Sequence, residues 1–320
     1  MELAGKNVLI TGTARGIGAA TARDLAGRGA RLALVGLEPD LLAALATELG
    51  CSEYREGVEH RGVARRGAKN PGHQHVWVEA DVTDSTALHA ATAQAVAALG
   101  GLDVVVANAG VASFGPVRSI DPEVFAKTVD INLTGVFRTV QATLPHLIDS
   151  GGYVLVVSSL AALFPTAGAS AYGASKAGVE AFADSLRIEL APLGVSVGCA
   201  HMGWVDTDMV RDADRDLPAF REMRKRLPWP LHSTTSVTDC AAAFVQAISR
   251  RSRRVNVPGA IGFCHWIRPL VHSRLVDALI IRASAALLLR LEAEISALGR
   301  SVNQLATQIH IHPRGPHSAG

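Results

Sequence analysis

Short runs of consecutive apolar residues alternate with longer helical patterns through most of this 320-residue chain, and that alternation restricts the fold more than any other feature. The runs are Asn7–Ile10, Arg31–Val35, Val76–Val78, Leu102–Ala107, Tyr153–Val157, Val195–Ala200 and Arg254–Val257. Several place four or five apolar residues in succession, as a strand covered on both faces does. Helical patterns at Ile17–Gly27, Asp40–Leu49, Thr86–Leu99, Pro122–Ile148, Tyr172–Leu190 and Val237–Arg250 supply that cover. Strand–helix–strand units joined by right-handed crossovers predict one doubly wound α/β domain, a parallel sheet between two helical layers.

Two regions break the rhythm and set the expected boundaries. The main domain covers residues 1–262, with an insertion at 51–75 that is charged, rich in Gly and Arg, and expected to be a flexible surface loop. Residues 263–300 are expected to form a helical extension. There Leu279, Ala283, Leu287, Leu291 and Ile295 recur every fourth residue, with Arg282, Arg290 and Glu294 off that line. Such an amphipathic helix is expected to pack on its own domain or on a sister subunit, with peripheral membrane contact as the second reading. Residues 301–320 are expected to be a disordered tail.

Composition narrows the function classes. Hydrophobic residues make up 48% of the chain, enough for a core of domain size, and a net charge of +2 gives no reason to expect a polyanionic partner. Two basic runs, Arg221 to Arg226 and Arg250 to Arg254, lack interleaved aromatic residues to stack on bases, so no nucleic-acid partner is expected. Cys51, Cys199, Cys240 and Cys264 have neither paired nor metal-type spacing and read as reduced thiols. The start of the chain lacks a signal-peptide pattern, and Leu275–Leu291 is broken by Asp277, Arg282 and Arg290, so a cytoplasmic protein without a transmembrane segment is expected. His73-x-His75 and His310-x-His312 have no Cys or carboxylate beside them, and no metal site is expected.

The first apolar run ends in Thr11-Gly12-Thr13-Ala14-Arg15-Gly16-Ile17-Gly18, with a helical pattern directly after it. Glycines there let the backbone turn sharply and approach a pyrophosphate, whose charge sits at the positive end of the helix. Asp81-Val82 and Asn108-Ala109-Gly110 follow the third and fourth runs, at the carboxyl strand ends where open α/β sheets bind ligands. Asp81 suits an adenine amino group, and Asn108 and Gly110 let backbone pass close to a ribose. Further on, Tyr172 and Lys176 are four residues apart at the start of a helical stretch and so share one helix face. A nearby ammonium favours the phenolate and brings the tyrosine toward useful acidity. Ser159 ends the fifth run, where its hydroxyl can meet a substrate oxygen.

Taken together, Thr11–Gly18, Asp81, Asn108-Ala109-Gly110, Asn132, Ser159 and Tyr172-x-x-x-Lys176 resemble the motif set of the short-chain dehydrogenase/reductase family over roughly residues 5–260. The resemblance implies a Rossmann-type fold and NAD(P)(H) as cofactor. It also implies hydride transfer between the nicotinamide and a small-molecule alcohol or carbonyl, and assembly as a homodimer or homotetramer. Tyr172 is then the general acid/base, and Ser159 polarises the same substrate oxygen. Lys176 bonds the nicotinamide ribose and lowers the tyrosine pKa, while Asn132 holds a helix irregularity and a water in a proton relay. Cofactor contacts are expected from Gly12, Arg15, Gly16, Ile17, Gly18, Asp81, Val82, Asn108, Ala109, Gly110, Tyr172, Lys176, Val205 and Thr207.

Departures from the pattern are Met202-Gly203 where members carry Pro-Gly, and the long insertion. Losing that proline removes a fixed φ and puts the backbone over the nicotinamide in question. Gly36 stands where NAD-type members have aspartate, and Glu38 follows it, so NAD and NADP are left open. Phe114, Ala161, Ala162, Leu163, Phe164, Pro165, Ala167 and Ala169, under a lid running from Trp204 to about Trp229, suggest an apolar substrate. The competing reading is a cofactor-binding sensor or scaffold without turnover.

Overall fold

The computed structural model describes residues 1–50, 52–53, 75–271 and 273–299. Its strands are β1 (Asn7–Thr11), β2 (Arg31–Gly36), β3 (Ser52–Glu53), β4 (Val76–Glu79), β5 (Val104–Ala107), β6 (Tyr153–Val157), β7 (Ser196–Met202), β8 (Trp204–Val205), β9 (Thr234–Thr235) and β10 (Arg254–Val257). Eight of them form one parallel sheet in the order β10-β7-β6-β5-β1-β2-β4-β3, while β8 and β9 pair separately. The order reverses between β1 and β5, whose carboxyl ends therefore diverge and open the crevice in which such sheets bind ligands. All five residues of β1 and of β6 are buried, as unbroken apolar runs require in a sheet covered twice.

One layer contains α1 (Gly16–Gly27), α2 (Pro39–Leu49) and α9 (Val237–Arg250); their Leu25, Leu42, Phe244 and Ile248 pack with Ile10, Leu34 and Leu155. The other contains α3 (Ser85–Leu99), α5 (Gly135–Ser150) and α6 (Ser170–Leu190), which bury Leu99, Val140, Leu147, Val179 and Leu186 against the opposite sheet face. Local chemistry sets the helix ends. Asp84 accepts hydrogen bonds from the Thr86 and Ala87 amides at the start of α3, and Gly100 closes that helix at φ +82°.

The helix expected over Pro122–Ile148 exists but is not uniform. After α4 (Pro122–Val129), residues Asp130–Thr134 form a π turn before α5 continues. Above the carboxyl edge lie α7 (Asp208–Asp216) and α8 (Pro218–Lys225), in the segment expected as a lid. The extension comprises α10 (Cys264–Val271) and α11 (Arg274–Leu298).

The four-residue line on α11 is buried only at Leu287, Leu291 and Ile295. Leu279 and Ala283 are exposed, because a strict four-residue step drifts around the helix and the half-buried positions of the first half are Val276, Ile280 and Ser284. Met202 closes β7 opposite Val257 with a regular pairing. The expected flexible loop at 51–75 lies largely outside the described residues, as does the tail at 301–320. Within that stretch, Ser52–Glu53 pairs with Val76–Trp77, and His75 is buried, its Nδ1 accepting the Leu32 amide at 3.2 Å. Cys199, Cys240 and Cys264 are free and buried. No helix among the described residues is long and apolar enough to cross a membrane.

Candidate active site

The glycine turn between β1 and α1 is held by close packing that side chains would prevent. Gly12 (φ +70°) and Gly16 (φ +58°) adopt left-handed backbone, and a Cβ on Gly18 would stand 2.2 Å from the Gly12 carbonyl oxygen. The end of β5 is stapled to this turn. Thr11 Oγ1 accepts the Asn108 and Ala109 amides at 3.1 and 3.3 Å, and Asn108 Nδ2 donates to the carbonyls of Thr11 and Gly12 at 3.0 and 3.1 Å. Asn108 thus shapes the cradle, its amide nitrogen taken up by backbone. Thr11 is a positioning residue that the spacing argument missed, although its place before Gly12 at a strand end was the available signal.

No side chain caps the N-terminus of α1, so its first-turn amides remain directed at the crevice, an arrangement that fits a pyrophosphate. Ile17 packs on the core, while Gly16 faces the Thr207 methyl group at Cβ-contact distance, 3.5 Å. Thr207 precedes α7, its amide donating to the Val205 carbonyl at 2.7 Å, and Val205 itself is buried. At the end of β4, one Asp81 carboxylate oxygen accepts the Thr83 amide at 2.8 Å, and Val82 is buried with Leu88, Val111 and Ile131. These groups surround the strand ends from Gly36 to Met202, and the cradle suits a dinucleotide.

Arg15 reaches across the turn to Glu38. Its Nε donates to Glu38 Oε2 at 3.0 Å, and its Nη2 bonds the other carboxylate oxygen. Asp208 lies 3.7 Å from the same guanidinium. The Arg15 charge is therefore already faced by two carboxylates, from Glu38 after β2 and Asp208 of α7.

On the other side of the crevice, α6 carries Tyr172 and Lys176 on one face, with Lys176 Nζ 5.8 Å from the centre of the Tyr172 ring. Lys176 is buried, donates to the Val157 carbonyl at 2.9 Å, and is lowered by burial to about 8. Burial raises the Tyr172 phenol above its ordinary value, and hydrogen bonding to Ser159 pulls it back.

The two neighbouring serines separate clearly. Ser158 is fully buried and gives its hydroxyl to the Lys176 carbonyl at 2.8 Å, anchoring α6. Ser159 Oγ faces the crevice mouth, accepting the Ala161 amide at 3.2 Å and donating to the Met202 carbonyl at 3.4 Å.

Asn132 sits inside the π turn with no exposed surface. Its Oδ1 accepts the Val111 amide at 2.8 Å, and its Nδ2 donates to the Val111 carbonyl at 2.9 Å and to Ser175 Oγ at 3.1 Å. Ser175 donates in turn to the Tyr172 carbonyl at 2.7 Å. One buried amide therefore locks the backbone after β5 to the helix bearing the phenol. A Cβ on Gly110 would sit 3.1 Å from Asn132 Oδ1 and 3.4 Å from Lys176 Nζ, which explains glycine there.

Glycine turn, strand ends, buried amine and phenol thus follow one another along the carboxyl edge of the sheet. Residues 6–58 and 53–218 match the model of the short chain dehydrogenase family. The chain belongs to that family.

Among short-chain dehydrogenases it is 35% identical over 214 residues to a trans-4-hydroxycyclohexanecarboxylate dehydrogenase of Sinomonas cyclohexanicum, covering 67% of this chain and 78% of that protein. It is 37% identical over 212 residues to a (-)-trans-carveol dehydrogenase of Rhodococcus erythropolis, covering 65% of this chain and 74% of that protein. A short-chain dehydrogenase from Burkholderia cenocepacia, solved in complex with NADP, superposes at a TM-score of 0.64 with 28% identity, covering 80% of this chain and 97% of the other. The protein is an NAD(P)-dependent oxidoreductase acting on hydroxyl groups.

The cover of the crevice departs from the expected wall. Phe114 and Ala169 do lie beside Tyr172, but Leu163 and Phe164 pack with Ile261 and Cys264 beneath the extension. Trp204, Met209 and Phe220 of the expected lid segment form an apolar cluster with Phe114 and Tyr172, and Leu291 and Ile295 of α11 join it. Three polar ties hold α11 there. Glu292 pairs with Arg118, Arg290 with Glu222, and Glu294 accepts the Ala219 amide at 3.0 Å. The family match ends at residue 218, so the motifs carried no signal for Leu291 and Ile295.

Proposed function

We propose that this short-chain dehydrogenase oxidises a ring-sized apolar secondary alcohol, or reduces the matching ketone, with Tyr172 as general acid/base and NAD as the preferred cofactor. The observation that carries the reading is the apolar cluster of Phe114, Phe220, Leu291 and Ile295 closed over the Tyr172 side chain. A site lined this way offers a sugar few partners for its hydroxyls, and unpaired hydroxyls in an apolar site cost binding.

The bound dinucleotide supplies or accepts the hydride at carbon. The protein handles the proton. In the reducing direction Tyr172 gives its phenolic proton to the carbonyl oxygen, and burial, which favours the neutral phenol, keeps that proton available near neutral pH. Ser159 donates to the same oxygen and holds it at the phenol. Lys176 would hold the ribose hydroxyls of the dinucleotide, turning toward them the donor now given to the Val157 carbonyl. Asn132, through Ser175, keeps α6 in register with the strand end that borders the nicotinamide.

NAD preference rests on Glu38. Its carboxylate is held by Arg15 at the adenosine side, where it suits a ribose 2′-OH and repels a 2′-phosphate. Glu38→Gln is expected to raise kcat/KM with NADP relative to NAD by about tenfold, the effect of removing one charge near the surface. An unchanged ratio means that Glu38 does not face that position.

The substrate reading is tested by steady-state turnover on cyclic apolar alcohols against aldoses of similar size. Cyclic alcohols are expected to be oxidised and aldoses not. Leu291→Ala is expected to shift relative kcat/KM by about tenfold toward bulkier rings, since it removes three carbons from the wall. Turnover of aldoses with none of cyclic alcohols overturns the apolar assignment.

A further inference from the structure

The extension carries an apolar surface that the rest of the chain leaves uncovered. Trp266, Leu270, Leu275, Leu279, Ile281 and Leu289 are between 59% and 84% exposed. Trp266 and Leu270 are one turn apart on α10, which packs against α11, and Leu275, Leu279 and Leu289 lie along one row of α11 at helical spacing. That row faces away from Leu287, Leu291 and Ile295, which seat the helix on its own domain. Single exposed leucines are ordinary, but six large apolar side chains left bare on two helices that pack together mark a contact surface.

We propose that this face docks the protein on an anionic lipid surface. Charge decides the occupant. Arg268 and Arg290 are engaged by Glu180 and Glu222, whereas Arg274 and Arg282 make no ion pair among the described residues. Arg282 stands at the middle of the row from Leu275 to Leu289. A second copy paired on this row about a two-fold axis would bring one Arg282 against the other, and facing like charges oppose association.

Lipid poses no such conflict. The leucines enter the acyl boundary, Arg274 and Arg282 extend to phosphate groups, and Trp266 takes the headgroup level that its amphipathic ring prefers. Asp277, the one acid on the exposed half of α11, falls two residues from Leu275 and from Leu279 and so lies off the row. With no crossing helix among the described residues, the attachment lies along the surface.

The test is co-sedimentation of the full-length protein with vesicles of phosphatidylcholine alone and with about one third phosphatidylglycerol, with the mass in free solution measured in parallel. Binding to the anionic vesicles, weakened by salt, is expected. Leu275→Ser with Leu279→Ser is expected to lower the partition coefficient about tenfold or more, and Arg282→Glu to remove the preference for phosphatidylglycerol. All variants should keep wild-type turnover of a water-soluble alcohol without vesicles, since none of these side chains lines the crevice. The proposal is overturned if the wild-type protein does not bind anionic vesicles or if the variants bind as well as it does. It is equally overturned if the double substitution lowers the solution mass while vesicles are ignored, because the face then belongs to a second copy.

Discussion

Tyr172→Phe retains fold and dinucleotide affinity and loses about 10²–10⁴-fold in kcat, the usual contribution of a placed general acid/base. The ring contributes to the cluster with Phe114, Phe220 and Leu291, and phenylalanine keeps those contacts. What disappears is one hydroxyl, which phenylalanine cannot replace in proton transfer. Because the hydroxyl acts on the reacting oxygen, kcat and kcat/KM should fall together, whereas a lost ground-state contact would mainly raise KM. Thermal midpoint and dinucleotide Kd are the controls. Turnover within a few-fold of wild type would remove Tyr172 from the mechanism.

Lys176→Met is expected to lose about 10²–10³-fold in kcat, the scale found when a donor is removed from a water-excluded site, and to weaken dinucleotide binding as well. Methionine fills similar volume, so the packing of α6 is preserved while the Val157 carbonyl loses its donor. The loss of affinity distinguishes this variant from Tyr172→Phe.

A second readout is independent of activity. The folded amine sits at about 8, while an unfolded lysine keeps its proton to about 10.4. Between those values the unfolded chain binds more protons, so this group makes folding more favourable as pH rises through the window. Protonation of the folded amine at lower pH removes that gain. Cys199 and Tyr153 titrate in the opposite sense at higher pH, and they cancel when wild type is compared with Lys176→Met. The wild-type urea midpoint should therefore gain on that of the variant between pH 8 and pH 10. A constant difference would mean that Lys176 is not held in a desolvating environment.

The parts of the site that were legible along the chain are those governed by local geometry. A glycine turn after an apolar run, residues at successive strand ends, and a four-residue spacing on a helix all place groups without reference to distant partners. For Asn132 it was the family resemblance that implied a helix irregularity, and the π turn at Asp130–Thr134 contains this residue. Met202 had put the backbone over the nicotinamide in question. In the structure it pairs regularly with Val257 and offers its carbonyl to Ser159.

Other features depend on segments far apart in sequence. Leu163 and Phe164 read as substrate wall, yet they turn beneath the extension, and Leu291 and Ile295, more than a hundred positions later, lie in the cluster with Tyr172. Arg15 and Glu38 stand 23 positions apart and were read separately along the chain. Their ion pair makes them one feature.

Apart from the site roles, which the family resemblance implied, period and spacing specified the doubly wound sheet and the edge on which such sheets bind ligands. They do so because strand ends and helix faces follow from backbone geometry repeated every two or 3.6 residues. Which apolar side chains close over the phenol, which hydroxyl tunes it, and which half of the last helix stays bare were decided only by tertiary packing. Those outcomes depend on how the helices above the sheet settle against one another, and an apolar residue carries no mark of the partner that will cover it.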